Sequence, residues 1–212
     1  MLACWVEDPN GDAFKKHIAR LPDYLWISED GMTMQSAAGS QLWDAVFSIK
    51  ALLATDLIEE TCSTLAKAHD FVKKTQGLIV EHEYVECTGS VIQALVLFKK
   101  MYPEFKANEI DDCITNAVQF IEESQTSNGS WFGAWGICFI YSTWLALNGL
   151  EAAGKTYKNC PAISRATKFL LQTQRKDGGW GESFLSCLQK AYDPLEEDHR
   201  SNVIQTSWLL WA

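Results

Sequence analysis

The spacing of cysteine and histidine side chains in a sequence can indicate a zinc site or disulfide cross-links. The seven cysteines include no Cys-x-x-Cys pair, and the four histidines form no His-Glu-x-x-His motif. Zinc sites usually show such spacings, and disulfide frameworks usually contain an even number of cysteines. We therefore expect no metal site and no disulfide framework, and a reduced compartment suits the chain better.

Glutamine and tryptophan recur at a fixed spacing that could join helices. Trp131 follows Gln125 by six residues, Trp180 follows Gln174 by six, and the two copies lie 49 residues apart. A glutamine amide can stack on an indole face and hydrogen-bond backbone groups at a helix end. The glycine between them, in Asn-Gly or Asp-Gly, supplies a positive φ for a tight turn. This pattern favours a structural role for both tryptophans over ligand binding.

The period extends along the chain and indicates stacked helical units. Phe120 and Phe169 each precede the glutamine of their copy by five residues. A third copy begins at Phe71 and reaches Gln76, but the Gly and Trp expected after it are absent. A weaker fourth copy would occupy residues 24–31.

Composition narrows the class of protein. Hydrophobic residues make up 47% of the 212 residues, and the formal net charge is −9. An acidic chain without a basic cluster is a poor candidate for binding nucleic acid or anionic lipid headgroups. The sequence begins with no signal peptide, contains no apolar run of the roughly 20 residues that span a bilayer, and stops within an apolar run at 203–212. We therefore expect an internal fragment of a longer chain.

Helical periodicity dominates, and strand signals are nearly absent. Ile110, Ala117, Val118 and Ile121 fall on one face of a predicted helix, and Pro161 suits the first turn of another. Further predicted helices lie at about 41–54, 59–75, 83–100, 136–152 and 201–212. The sequence therefore predicts an all-α fold.

The repeated unit Phe-Leu-x3-Gln-x3-Gly-x-Trp resembles the QW repeat of squalene and oxidosqualene cyclases. Longer strings resemble the plant members of that family, the triterpene synthases of the β-amyrin synthase type. These strings occupy 1–11, 30–32, 40–44, 84–88, 135–139, 176–183 and 200–203. The resemblance covers nearly the whole chain and implies a stretch from the C-terminal half of such an enzyme.

The resemblance implies an α/α barrel, here incomplete, whose apolar cavity folds 2,3-oxidosqualene without a metal or organic cofactor. An Asp in an Asp-Cys-Thr-Ala-Glu motif would protonate the epoxide, and aromatic faces would stabilise the carbocations that lead to a pentacyclic triterpene. It also implies monotopic contact with a membrane, at a lipid droplet or the cytosolic face of the endoplasmic reticulum. The other partner implied is the remainder of the cyclase chain, and no nucleic acid is expected.

The resemblance assigns roles to individual residues. Cys87 matches the thiol that hydrogen-bonds the catalytic Asp, and Trp43, Trp135 and Tyr141 match aromatic residues of the cavity wall. Ser142 stands where the family usually has Gly, which could narrow the wall locally. From the residues alone, both tryptophans could be ordinary core residues, and Cys87 could be a small buried hydrophobe.

One departure from the family pattern bears directly on activity. The Asp-Cys-Thr-Ala-Glu motif is absent, and Asp112-Cys113 lies on an amphipathic helix that matches no family motif. The missing stretch should follow Gln76, where the third repeat also breaks. We therefore divide the single partial domain into 1–76 and 77–212. One alternative is a catalytically inactive fragment, and another is a prenyltransferase β-subunit, which would need a zinc triad.

Overall fold

The computed structural model describes residues 2–28, 31–34, 41–55, 58–75, 84–134, 137–197 and 199–210. By their internal contacts these residues form two units, Met1–Gln41 and Leu42–Ala212. The predicted division at Gln76 is not tested, because residues 76–83 lie outside the described residues.

The first unit contains two short helices and the one β-hairpin of the described residues. Its elements are α1 (Leu2–Glu7), α2 (Asp12–Ile18), a 3-10 helix (Leu21–Tyr24), β1 (Leu25–Ser28) and β2 (Gly31–Met34). The strands pair antiparallel, with Leu25 opposite Met34. The weak fourth repeat at 24–31 is therefore wrong, because a strand occupies the positions that are helical in the complete copies.

The second unit is helical and carries both complete repeats. Its helices are α3 (Gln41–Leu53), α4 (Ile58–Thr75), α5 (Val85–Met101), α6 (Ala107–Glu123), α7 (Cys138–Ala152), α8 (Pro161–Thr173), α9 (Leu185–Gln189) and α10 (Val203–Leu210). The predicted all-α fold is confirmed, and the unit is an incomplete α/α barrel. The β-hairpin of the first unit, with two strands of four residues, departs from the all-α prediction only locally.

Local sequence explains where α7 ends and α8 begins. Gly154 takes a positive φ of 79° just beyond α7. Its N–H bonds the carbonyl of Glu151, and the N–H of Lys155 bonds that of Leu150. This is the Schellman arrangement, which satisfies the free carbonyls at a helix end. Pro161 opens α8, where its missing N–H costs nothing.

The glutamine of each repeat binds the turn that follows it. The Nε2 atoms of Gln125 and Gln174 donate to the carbonyls of Gly129 and Gly178, each at 2.8 Å. Both glycines have positive φ, 91° and 84°, as the Asn-Gly and Asp-Gly pairs predict. Gln125 also donates to the carbonyl of Ala162 in the first turn of α8, at 2.8 Å, and so joins two helices. Although the Gln174 side chain is exposed, its amide is hydrogen-bonded to the backbone of the turn.

The tryptophan of each repeat is buried and fixed by its indole N–H. Trp131 Nε1 donates to the carbonyl of Ile121 at 2.6 Å, and Trp180 Nε1 donates to that of Leu170 at 2.9 Å. In both copies the accepting carbonyl lies ten residues before the tryptophan, so the two copies share the same hydrogen-bond geometry. The structural role predicted for both tryptophans agrees with these bonds, whereas stacking of the amide on the indole stays a prediction.

Helices α5 and α7 approach each other closely because glycines face each other at their crossing. A Cβ added to Gly89 would collide with the carbonyl oxygen of Leu145, and one added to Gly149 would lie 2.7 Å from the α-carbon of Gly89. Ile92, Ala146 and other buried apolar residues surround the crossing. No flexible side chain could move aside here, since the obstructing atoms belong to the backbone.

We expect Gly89→Ala to lower the free energy of unfolding by about 2 kcal/mol, because overpacking outweighs the gain in helix propensity. The neighbouring Ser90→Ala is the matched control. The Ser90 hydroxyl is buried and has no hydrogen-bond partner among the described residues, so its removal should cost nothing. Urea unfolding measures both variants, and equal stabilities would contradict the close crossing.

His69 on α4 is buried between aromatic rings. It stacks on Phe98 at 5.5 Å and meets the edge of Phe105 at 5.6 Å. The Asp70 carboxylate lies 3.5 Å from its Nδ1 atom and 2.6 Å from the Nζ atom of Lys106. Burial lowers the pKa of His69, and the Asp70 carboxylate opposes this shift only in part, so the imidazole is held neutral.

This depressed pKa predicts a pH-dependent stability. In the unfolded chain histidine takes up a proton near pH 6.5, whereas folded His69 resists it. The free energy of unfolding should therefore be constant above about pH 7 and fall as the pH drops below about 6.5. Urea unfolding of the wild type and of His69→Leu should show this decline in the wild type alone. A decline of equal size in His69→Leu would assign it to other groups.

Candidate functional site

Two of the predicted site residues lie on the paired helices α5 and α7. Cys87 is buried in the first turn of α5, and Tyr141 is half-buried in the first turn of α7. Burial raises the pKa of the Tyr141 hydroxyl, and the nearby Glu86 carboxyl and Cys87 thiol raise it further. The hydroxyl of Tyr141 therefore stays protonated beside the Cys87 thiol.

An aromatic cluster extends from Tyr141 to the end of the described chain. Its members are Tyr141, Trp144 and Trp208, with the Tyr141 and Trp208 ring centres 4.9 Å apart. The Trp144 and Trp208 rings stack at 5.9 Å, and Tyr141 lies 5.8 Å from Trp144. Electron-rich ring faces attract a cation, and the attraction strengthens when water is excluded.

Sequence reasoning missed two members of this aromatic cluster. Trp144 follows Tyr141 by three residues on a predicted helix, and that spacing places both on one face. No local signal links Trp208 to them, because α10 is brought to α7 only by the fold.

Glu86, the residue before Cys87, is fully buried and binds the loop that leads to α7. The N–H of Ala134 donates to its Oε1 atom at 2.9 Å. Glu86 Oε1 and the Ser142 hydroxyl both lie against the α-carbon of Gly133, where a side chain would collide with them. Ser142 thus fits at this position because the facing residue is Gly133.

Glu182 anchors the beginning of α7 from the second repeat. Its carboxylate is buried and accepts the N–H groups of Phe139 at 3.0 Å and Ile140 at 2.8 Å. Burial raises the pKa of Glu182, and these amides partly oppose the rise. Its own N–H donates to the side chain of Gln205 on α10 at 2.6 Å. Glu182 therefore connects the helices that carry Tyr141 and Trp208.

A disulfide joins the same region, contrary to the expectation from the cysteine count. Cys138, the first residue of α7, is bonded to Cys187 on α9, with α-carbons 5.6 Å apart. The other five cysteines form no disulfide. An odd count and the absence of Cys-x-x-Cys do not reveal one long-range bond, which depends on tertiary proximity.

Several predicted residues cannot be placed in this cluster. Trp43 lies in α3, where its side chain is not described, while Trp135 and Gln76 lie outside the described residues. Phe71 is half-buried on α4, and Asp112 lies on the exposed face of α6. The cavity roles of Trp43, Trp135 and Tyr141 stay predictions, as does the role of Cys87. Among the described residues, no three His, Cys, Asp or Glu side chains come together as a metal site.

The paired helices, the Gln–Trp turns and the aromatic cluster define an α/α-barrel protein of the terpenoid cyclase class. Residues 76–212 match the squalene-hopene cyclase C-terminal domain. The chain belongs to this family.

Known proteins similar to this chain include three cyclases. Alpha-onocerin synthase of Lycopodium clavatum is 34% identical to this chain over 314 positions. The match covers 100% of this chain and 41% of the length of the synthase. Human lanosterol synthase is 29% identical and covers 99% of this chain and 43% of its own. Lanosterol synthase of Saccharomyces cerevisiae is 43% identical over 136 residues, which are 64% of this chain and 18% of its own. The chain thus spans about two fifths of the first two relatives.

Proposed function

We propose that this chain is part of an oxidosqualene cyclase, an isomerase that converts 2,3-oxidosqualene into a cyclic triterpene of the β-amyrin type. The observation that carries the proposal is the alignment of the whole chain with relatives named alpha-onocerin synthase and lanosterol synthase. The cluster of Tyr141, Trp144 and Trp208 supports it, because ring faces of this kind stabilise carbocations.

We propose further that a segment bearing the catalytic acid is missing between Gln76 and Gly77. The alignment with alpha-onocerin synthase covers 314 positions, 102 more than the chain's 212 residues. The family match begins at residue 76, where the third repeat breaks. Without an Asp-Cys-Thr-Ala-Glu motif, Cys87 has no acid to support, so the chain by itself is an inactive fragment.

Sequencing the gene between the codons for Gln76 and Gly77 tests this proposal. The expected result is an intervening coding segment that contains Asp-Cys-Thr-Ala-Glu. Protein translated with that segment and its remaining flanking sequence should convert 2,3-oxidosqualene into a triterpene, identified by gas chromatography and mass spectrometry. Uninterrupted codons, or a restored protein without product, would contradict the proposal.

A peripheral membrane location goes with this function, and we place the parent enzyme at a lipid droplet or the cytosolic face of the endoplasmic reticulum. In the part of the chain that the structure describes, no helix is both long and apolar enough to cross a bilayer. Phe184 and Leu188, at the short helix α9, are 71% and 75% exposed and could contact acyl chains.

A further inference from the structure

An open cleft lies on the second unit between the two repeats. The turn at 126–129 forms one side, α8 forms another, and residues 190–192 close the third. Its volume is about 730 Å³. Ligand sites in proteins commonly measure about 300–1,000 Å³, so the cleft can hold a molecule of metabolite size.

The rim of this cleft is basic although the chain as a whole is acidic. Arg165 and Lys168 lie three residues apart on one face of α8, and Lys190 lies across from them at the end of α9. No Asp or Glu is among the described residues that line the cleft. Glu182 and Asp193 raise the pKa of Tyr192, but neither residue lines the cleft.

The cations of the rim are available to a ligand. Neither Lys168 nor Lys190 forms an ion pair with a described residue, and both are exposed. Arg165 donates from Nε to the Oε1 atom of Gln125 at 2.7 Å, which orients its guanidinium. Three positive charges around one opening therefore have no acidic partner in the described part of the chain.

The floor of the cleft is aromatic. Phe169 is buried and meets Tyr192 edge to face, with ring centres 5.2 Å apart, and Phe139 meets Tyr192 at 6.3 Å. The Tyr192 hydroxyl is buried and has no hydrogen-bond partner of suitable geometry among the described residues. The adjacent Thr173 hydroxyl donates instead to the carbonyl of Phe169. The hydroxyl is therefore closed to solvent, and the floor offers a ligand aromatic surface rather than a hydrogen bond.

We propose that this cleft binds a small organic polyanion, with phosphate or carboxylate groups on Arg165, Lys168 and Lys190 and a flat apolar part on the aromatic floor. Tyr141, Trp144 and Trp208 do not line this cleft, so the site is distinct from the aromatic cluster. The proposal does not depend on cyclisation activity.

Isothermal titration calorimetry of the 212-residue chain with ATP and with inorganic pyrophosphate tests this site. ATP should bind saturably and more tightly than pyrophosphate, because only ATP carries a ring for the floor. Lys168→Gln and Lys190→Gln should each weaken ATP binding about tenfold, the effect of losing one charge-assisted hydrogen bond. Raising NaCl from about 50 to about 300 mM should weaken it further.

Lys158→Gln is the matched control, since Lys158 is an exposed lysine outside the cleft lining. It removes the same charge and should leave ATP binding within about twofold. Circular dichroism should show the same helix content in all three variants. Absence of saturable heat with both probes, or equal weakening by Lys158→Gln, would overturn the proposal. Equal affinities for ATP and pyrophosphate would overturn the part played by the aromatic floor.

Discussion

Incubated with 2,3-oxidosqualene, the purified 212-residue chain is expected to form no cyclised triterpene. Opening the epoxide needs a neutral carboxylic acid held in an apolar site, and the family's acid motif is absent from the sequence. General acid catalysis alone contributes about 10²–10⁴-fold to a rate, and an incomplete barrel cannot exclude water from a carbocation. Gas chromatography of the extracts should therefore show no product above a no-protein control.

Two carboxyl groups of the chain are alternative proton donors, and variants of each can test them. Asp112 is exposed on α6, and Glu86 is buried beside Cys87, where it accepts the N–H of Ala134. A full-length lanosterol synthase, assayed in parallel, verifies substrate and detection. Any triterpene from the 212-residue chain would contradict the prediction. Its loss in Asp112→Asn or in Glu86→Gln would then identify which carboxyl supplies the proton.

The helices of the second unit could be predicted because their signals are local. On α6, Ile110, Ala117, Val118 and Ile121 are all buried, as the 3.6-residue period requires. The turns at Gly129 and Gly178 follow from glycine's access to positive φ. The two copies, 49 residues apart, carry the same residues at the same spacing because both turns form the same hydrogen bonds.

The connections between helices could not be read from the sequence. Glu182 and Glu86 look like ordinary surface carboxylates in the chain, yet both are buried and bind backbone N–H groups of distant segments. Trp208 joins Trp144 only because α10 packs on α7. The hairpin at 25–34 was missed because two four-residue strands carry too short an alternation to stand out.

The Cys138–Cys187 bond belongs to the same group of long-range contacts, and it predicts a measurable thiol count. Five of the seven cysteines should react with a thiol reagent when the chain is denatured without reductant. All seven should react after reduction. Seven reactive thiols in the unreduced chain would contradict the bond.

Reduction of this bond should lower the free energy of unfolding by about 4 kcal/mol, because a disulfide restricts the unfolded chain by an amount that grows with the logarithm of the length of the loop it closes. The bonded residues are 49 apart, and the loop contains α7, α8 and the second Gln–Trp turn. Urea unfolding with and without dithiothreitol measures the difference, and the double variant Cys138→Ala with Cys187→Ala should match the reduced chain.

Cys62→Ala is the matched control for the disulfide, since Cys62 is a free and exposed thiol on α4. It should retain the full response to dithiothreitol, whereas the double variant should show none. Loss of the bond should also loosen α9, which the disulfide ties to the first residue of α7, so proteolysis should begin near residues 185–189 in the reduced chain. Equal unfolding free energies in the oxidised and reduced chains would mean that Glu182, through its bonds to Phe139 and Ile140, holds this corner without help from the disulfide.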